Sequence, residues 1–122
     1  MAKFSVEVIV DDDKIDNLLC SAFEGGSNYW ASSAKAGRKP KEEAEWLHEW
    51  PLKGGSFIIY DAEEDKHYEI GREELHKGLK AMSEWGEEEG RHHFANIIKD
   101  EIDSDTGDAF LQACCFGKLI YG

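Results

Sequence analysis

The chain has 122 residues, the size of one domain and too short to bury two independent cores. Hydrophobic residues at 41% and aromatics at 11%, four tryptophans among them, exclude a disordered chain. A formal net charge of -12, from 14 basic and 26 acidic side chains, disfavours direct binding to nucleic acid or to an anionic membrane surface.

Three cysteines, Cys20, Cys114 and Cys115, leave one unpaired in any intramolecular scheme, and two of them are neighbours that bridge poorly. A reducing, cytoplasmic setting is expected. Met1–Lys3 runs straight into an alternating segment with no charged-then-apolar leader, and no apolar run reaches spanning length, so neither secretion nor membrane insertion is expected.

Taken in order, Phe4, Val6, Val8 and Val10 alternate with Ser5, Glu7 and Ile9, the period of a strand with one buried face. Asp11 to Asp13 then offer N-caps to a helix carrying Ile15, Leu18, Leu19, Ala22 and Phe23, which Gly25 and Gly26 stop. Asn28 to Ser33 reads as a short second strand. Ala34 to Glu45 is polar, with Gly37 and Pro40, and reads as a surface loop turning helical from Lys41 toward Trp46.

Phe57–Tyr60 and His67–Ile70, separated by the polar Asp61–Lys66, predict a hairpin. Glu73 to Trp85 places Leu75, Leu79 and Met82 on one helical face, and Arg91 to Ile102 repeats the spacing through Phe94, Ile97 and Ile98. Asp105 or Thr106 is expected to cap a last helix with Phe110, Leu111, Cys114 and Cys115, ended by Gly117. Leu119–Tyr121 is expected to return as an edge strand. The fold class is therefore α+β: a small antiparallel sheet with helices packed on one face.

Among chemistry-bearing groups, Glu24-Gly25-Gly26-Ser27-Asn28-Tyr29-Trp30 stands out: two glycines at a helix exit expose amides beside two aromatic rings. A glycine C-cap followed by core aromatics would use the same residues. Asp103-Ser104-Asp105-Thr106-Gly107-Asp108, with Gln112 one turn on, is dense in oxygen. An EF-hand loop begun at Asp103 needs glycine at the sixth position and glutamate at the twelfth, where Asp108 and Cys114 stand, so a capped helix start is preferred to a metal site.

His48, His67, His76, His92 and His93 lack zinc spacing, and His92 and His93 are expected near the surface. No nucleophile elbow, P-loop or dinucleotide fingerprint occurs, and the cysteines fall at apolar helix positions, so binding is favoured over catalysis and no cofactor or metal is expected. The carboxylates of Glu84–Glu89 and Asp100–Asp108 could meet a basic partner, or only solvate the surface. Lys35 to Lys41, with Arg38, forms a small opposite pole.

Glu24 to Trp30, taken with Asp103, Thr106, Asp108, Gln112, Phe116, Gly117, Tyr121 and Gly122, resembles a group of small uncharacterised bacteriophage and prophage proteins. In that group an early helix runs into Glu-Gly-Gly-Ser-Asn-Tyr-Trp, and the last segment reads Asp-x-x-Thr-x-Asp-x-x-x-Gln, then Phe-Gly and Tyr-Gly. The middle, Arg38 to Pro51, matches nothing in it. The resemblance implies a phage origin and an accessory role in an infected bacterium, and brings no activity.

Two such motifs, distant in sequence, are expected to meet in one pocket. The expected site comprises Glu24, Gly25, Gly26, Ser27, Asn28, Tyr29, Trp30, Thr106, Asp108 and Gln112. The Gly25, Gly26 and Ser27 amides would meet an anionic group, Tyr29 or Trp30 would stack on a base, and Asn28, Asp108 or Gln112 would read polar edges. The expected function is sequestration of a small anionic or nucleotide-like ligand, as in counter-defence. The alternative is an acidic module that inhibits a basic, nucleic-acid-binding host protein. Trp46 or Trp50, if exposed, would favour a homo-oligomer.

Overall fold

The computed structural model describes residues 7–122. Helix α1 (Asp12–Ser21) begins as its acidic lead-in predicts: Asp11 is extended, and its carboxylate accepts from the Lys14 amide at 3.0 Å. Ile15, Leu18 and Leu19 form its buried face. The helix widens into a π-turn over Ala22–Gly26 and stops where Gly25 takes φ 147°, a conformation closed to a residue with a Cβ.

Strand β1 (Ala31–Ala36) follows, then a 3-10 segment over Leu47–Lys53, the hairpin β2 (Phe57–Asp61) and β3 (Lys66–Ile70), and helix α2 (Arg72–Glu84). Helices α3 (Arg91–Ile98) and α4 (Ser104–Phe116) complete the order. The described sheet runs β1-β2-β3, antiparallel throughout, with Phe57 opposite Ile70 and Ile59 opposite Tyr68. Phe57, Ile59 and Asp61 alternate onto the buried face of β2, and the helices cover that side. This is the α+β architecture expected from the sequence.

α4 is the hub of the packing. Every residue from Thr106 to Cys114 is buried, so this helix has no solvent face over that span. Its neighbours come close because glycine stands at the crossings. A Cβ on Gly107 would lie 2.8 Å from the Leu18 carbonyl oxygen of α1, and one on Gly78 of α2 would lie 2.6 Å from Cys114 Sγ. Trp30, Phe57, Leu18, Leu19, Met82, Ile97, Phe110 and Leu111 fill the core around it. Burial raises the Cys114 and Cys115 thiols, consistent with inert packing.

Several expected boundaries move. The alternating segment Phe4–Val10 falls partly outside the described residues; Glu7–Val10 form no regular element, with Val8 and Ile9 exposed. Alternation makes a strand only where a neighbouring strand accepts its hydrogen bonds, and none pairs there among the described residues. The second strand begins at Ala31 rather than Asn28, because the Trp30 and Ala31 amides bond the Ser27 carbonyl in a turn. No helix forms from Lys41 to Trp46; the 3-10 segment starts after Trp46. α3 ends at Ile98, and Asp100 takes a left-handed φ of 60°.

The cap of α4 is Asp103, whose carboxylate accepts from the Thr106 amide at 2.9 Å, rather than Asp105 or Thr106. Gly117 ends the helix at φ 77°, as expected. Leu119–Tyr121 is not an edge strand, because a side chain from α4 takes its backbone groups. None of the described helices is long and apolar enough to cross a membrane.

Candidate functional site

Asp108 lies one turn into α4, 7% exposed, on the side facing the exit of α1. The π-turn delivers Ser27, Tyr29 and Trp30 to it. Ser27 Oγ and Trp30 Nε1 each donate to Asp108 Oδ1 at 2.7 Å; Tyr29 OH donates to Oδ2 at 2.5 Å. Gln112, one turn further along α4, donates from Nε2 to the same Oδ2 at 3.0 Å. Each carboxylate oxygen thus accepts two hydrogen bonds, which compensates a buried charge without a cation.

The close fit of the turn against α4 has a steric cause. A Cβ on Gly26 would lie 2.5 Å from the Ser104 carbonyl oxygen, so the chain passes the start of α4 only with a bare backbone. Burial, then the bond to Asp108, pushes the Tyr29 hydroxyl well above its ordinary pKa, so it stays a donor.

Gln112 ties in the last residues. Its Oε1 accepts from the Ile120 and Tyr121 amides at 2.8 and 3.0 Å, and its Nε2 donates to the Tyr121 carbonyl at 3.2 Å. The Tyr121 ring stacks on Trp30 with centroids 5.6 Å apart and planes at 23°. Its hydroxyl donates to the fully buried Asp61, at 2.9 Å to Oδ2. Burial, with the Asp61 bond second, raises this phenol to about 12.

Thr106 anchors the other flank: its Oγ1 accepts from Asn96 Nδ2 at 3.2 Å and lies 3.1 Å from His93 Nδ1. His93 is buried, contrary to the surface position expected for it, because Gly90 and Thr106 leave a slot that its ring fills. Burial, with His92 second, lowers its pKa and favours the neutral imidazole.

The two motifs therefore meet, and at one carboxylate. Ser27, Trp30, Thr106, Asp108 and Gln112 are buried there, whereas Glu24, Gly25 and Asn28 remain exposed at the turn and Tyr29 keeps 53% exposure. Two expected roles change. Trp30 is 1% exposed and is covered by the Tyr121 ring and by Phe116, its centroid 5.2 Å away, so it offers no free face to a base in this conformation. The Ser27 amide bonds the Ala22 carbonyl at 3.1 Å and is not free for an anion.

Beside the hub lies an open cleft of about 420 Å³, lined by Tyr29, His92, His93, Asp105, Asp108 and residues 119–122. That volume falls within the ~300–1,000 Å³ of small-molecule sites. Asp61 and Asn96 were missed in the sequence: Asp61 stood in a polar run that read as hairpin loop, and Asn96 on a helix face with no motif around it. Trp46 is exposed at 58% and Trp50 is partly buried. Compared with family models, curated proteins and solved structures, the chain matches none significantly.

Proposed function

We propose that this is a non-catalytic binding protein that takes a nucleotide-like ligand in the cleft beside Tyr29. In keeping with the resemblance to bacteriophage proteins, it serves as an accessory factor that sequesters a small host signal in the cytoplasm of an infected bacterium. The observation that carries the reading is the convergence of the two motifs on Asp108 at the wall of an open cleft that the half-exposed Tyr29 also lines.

The lining decides which part of the ligand enters. Asp105 and Asp108 disfavour a phosphate and favour sugar hydroxyls and base amino groups; the phosphate of a nucleotide points outward. A catalytic role finds less support, since both Asp108 oxygens are committed to two donors each and the buried thiols are held protonated.

The test is an amide NMR titration with the four ribonucleosides and their 5′-phosphates. Saturable shifts at Tyr29, His92 and Asp105, weakened at least about fivefold in Asp105→Asn, are expected. No shift at these residues with any of the eight compounds sinks the reading.

One observation favours a protein partner instead: Glu87, Glu88 and Glu89 form a 3-10 turn with all three side chains exposed, and among the described residues only Glu87 forms an ion pair, with Arg91 at 3.6 Å, while the Glu89 carboxylate accepts from the Gly86 amide at 3.1 Å. Binding through this turn would weaken steeply with salt and be lost on charge reversal at Glu87–Glu89.

A further inference from the structure

We propose that the segment Lys118–Gly122 is an internal occupant of a nucleobase subsite made by Trp30 and Gln112, and that a nucleobase displaces it. The proposal rests on the nucleotide-binding reading above and gives the Tyr29 cleft a gated inner seat.

The contacts of the segment are those a base would make. Gln112 is fully buried, yet much of its amide faces main chain: Oε1 accepts from the Ile120 and Tyr121 amides, and Nε2, which also donates to Asp108 Oδ2 and lies 3.1 Å from the Tyr29 hydroxyl, donates to the Tyr121 carbonyl at 3.2 Å. Two backbone N–H donors on one atom fix which end of the amide is oxygen. An acceptor and a donor side by side form the pair that reads the amino group and ring nitrogen of adenine bidentately. Beside it, the Tyr121 ring lies nearly parallel to Trp30, the arrangement in which a base stacks on an indole.

The segment is built to leave. It has no regular secondary structure, Ile120 is 47% exposed, and Gly122 is exposed. It departs from α4 at Gly117, whose carbonyl is pinned by Trp85 Nε1 at 3.0 Å, so a pivot lies just before it. Among the described residues its remaining polar anchor is the Tyr121 hydroxyl on Asp61, a carboxylate that keeps the Glu63 amide at 3.0 Å when the tyrosine moves. Residues 119–122 also wall the Tyr29 cleft, so lifting them joins that cleft to Trp30 and Gln112. With the segment seated, apparent affinity is reduced by the fraction of molecules that are open.

Adenosine titrated into the unsubstituted chain, Tyr121→Ala and Tyr121→Phe, followed by amide and indole NMR, tests this. The Trp30 indole N–H, bonded to a carboxylate, reports on the subsite and on folding together. Tyr121→Ala is expected to bind about tenfold more tightly, with the Trp30 indole and Gln112 side-chain signals moving. Tyr121→Phe keeps the ring, loses only the Asp61 bond and gains less; it carries the test if the alanine variant unfolds.

Equal affinity in all three proteins, with shifts confined to Tyr29, His92 and Asp105, overturns the displacement and leaves the cleft reading standing. No adenosine binding by any of them also overturns the displacement; the cleft reading falls with it only if the other nucleosides and the 5′-phosphates fail too. A Tyr121→Ala protein that dimerises and ignores adenosine assigns the groove to a second copy and overturns the proposal.

Discussion

Trp30 Nε1 donates to Asp108 Oδ1 at 2.7 Å across 78 positions of sequence, and the two residues close the protein around its central helix. One belongs to the turn after α1 and the other to the buried face of α4, so the bond fixes how α1, the sheet and α4 meet.

Removing Asp108 should therefore cost far more than an ordinary surface carboxylate. Asp108→Ala strands Ser27 Oγ and Trp30 Nε1, both buried, without their acceptor. A loss on the order of 3 kcal/mol is expected in urea unfolding. Asp108→Asn retains one acceptor oxygen and should fall between. A change under about 1 kcal/mol for the alanine variant would show that the hub is not what holds these segments.

Close helix crossings predict a contrast between two glycines. Gly107→Ala drives a methyl to 2.8 Å from the Leu18 carbonyl and should cost about 1–3 kcal/mol by forcing α1 off α4. Gly117→Ala meets no atom within 4 Å but must hold φ 77°, and should cost about 1–2 kcal/mol through the backbone alone. Thermal melts of the pair, with a D-alanine at position 117 restoring stability, separate packing from backbone strain.

The cap of α4 offers a milder change. Asp103→Ala loses the bond to the Thr106 amide and should destabilise by about 1 kcal/mol, while Asp103→Ser should recover most of it. Asp105→Ala, which does not cap, should leave the midpoint nearly unchanged in the same denaturant series.

His93 sets the pH response near neutrality. Its pKa is lowered in the folded protein, chiefly by burial, so the unfolded chain binds the proton more readily. Its contribution is thus full above the unfolded value of about 6.5 and is lost as pH falls from there toward the folded value. Melting temperature should drop between pH 7.5 and 5.5, and His93→Gln should flatten that drop. An unchanged slope in the variant would assign the response to other groups.

Local pattern was legible wherever one short stretch of chain carried the whole signal. Asp11 before Ile15-x-x-Leu18-Leu19, the hairpin residues Phe57 and Ile70, and Leu75, Leu79 and Met82 in α2 each declare their element through spacing alone. The alternation of Val8 and Val10 misled for the opposite reason. A strand needs a partner edge, and a partner is not encoded in the strand.

At the site, chemical type was legible and role was not. Gly25-Gly26, Trp30, Asp108 and Gln112 could be singled out as residues too costly to hold for capping alone, and Trp30, Asp108 and Gln112 do converge, with Gly26 letting the turn pass α4 and Gly25 left exposed. Whether an indole faces a base or another ring of the same chain depends on what covers it, and in this fold Tyr121 does. Sequence by itself determined much of the composition of the core, the start of α1 and the hairpin, because spacing, caps and turns act within a few residues. Only the tertiary structure decided that Asp108 accepts from four uncharged donors, that His93 is buried and that Gln112 grips main chain. Those outcomes are set by distances between segments that share no local signal.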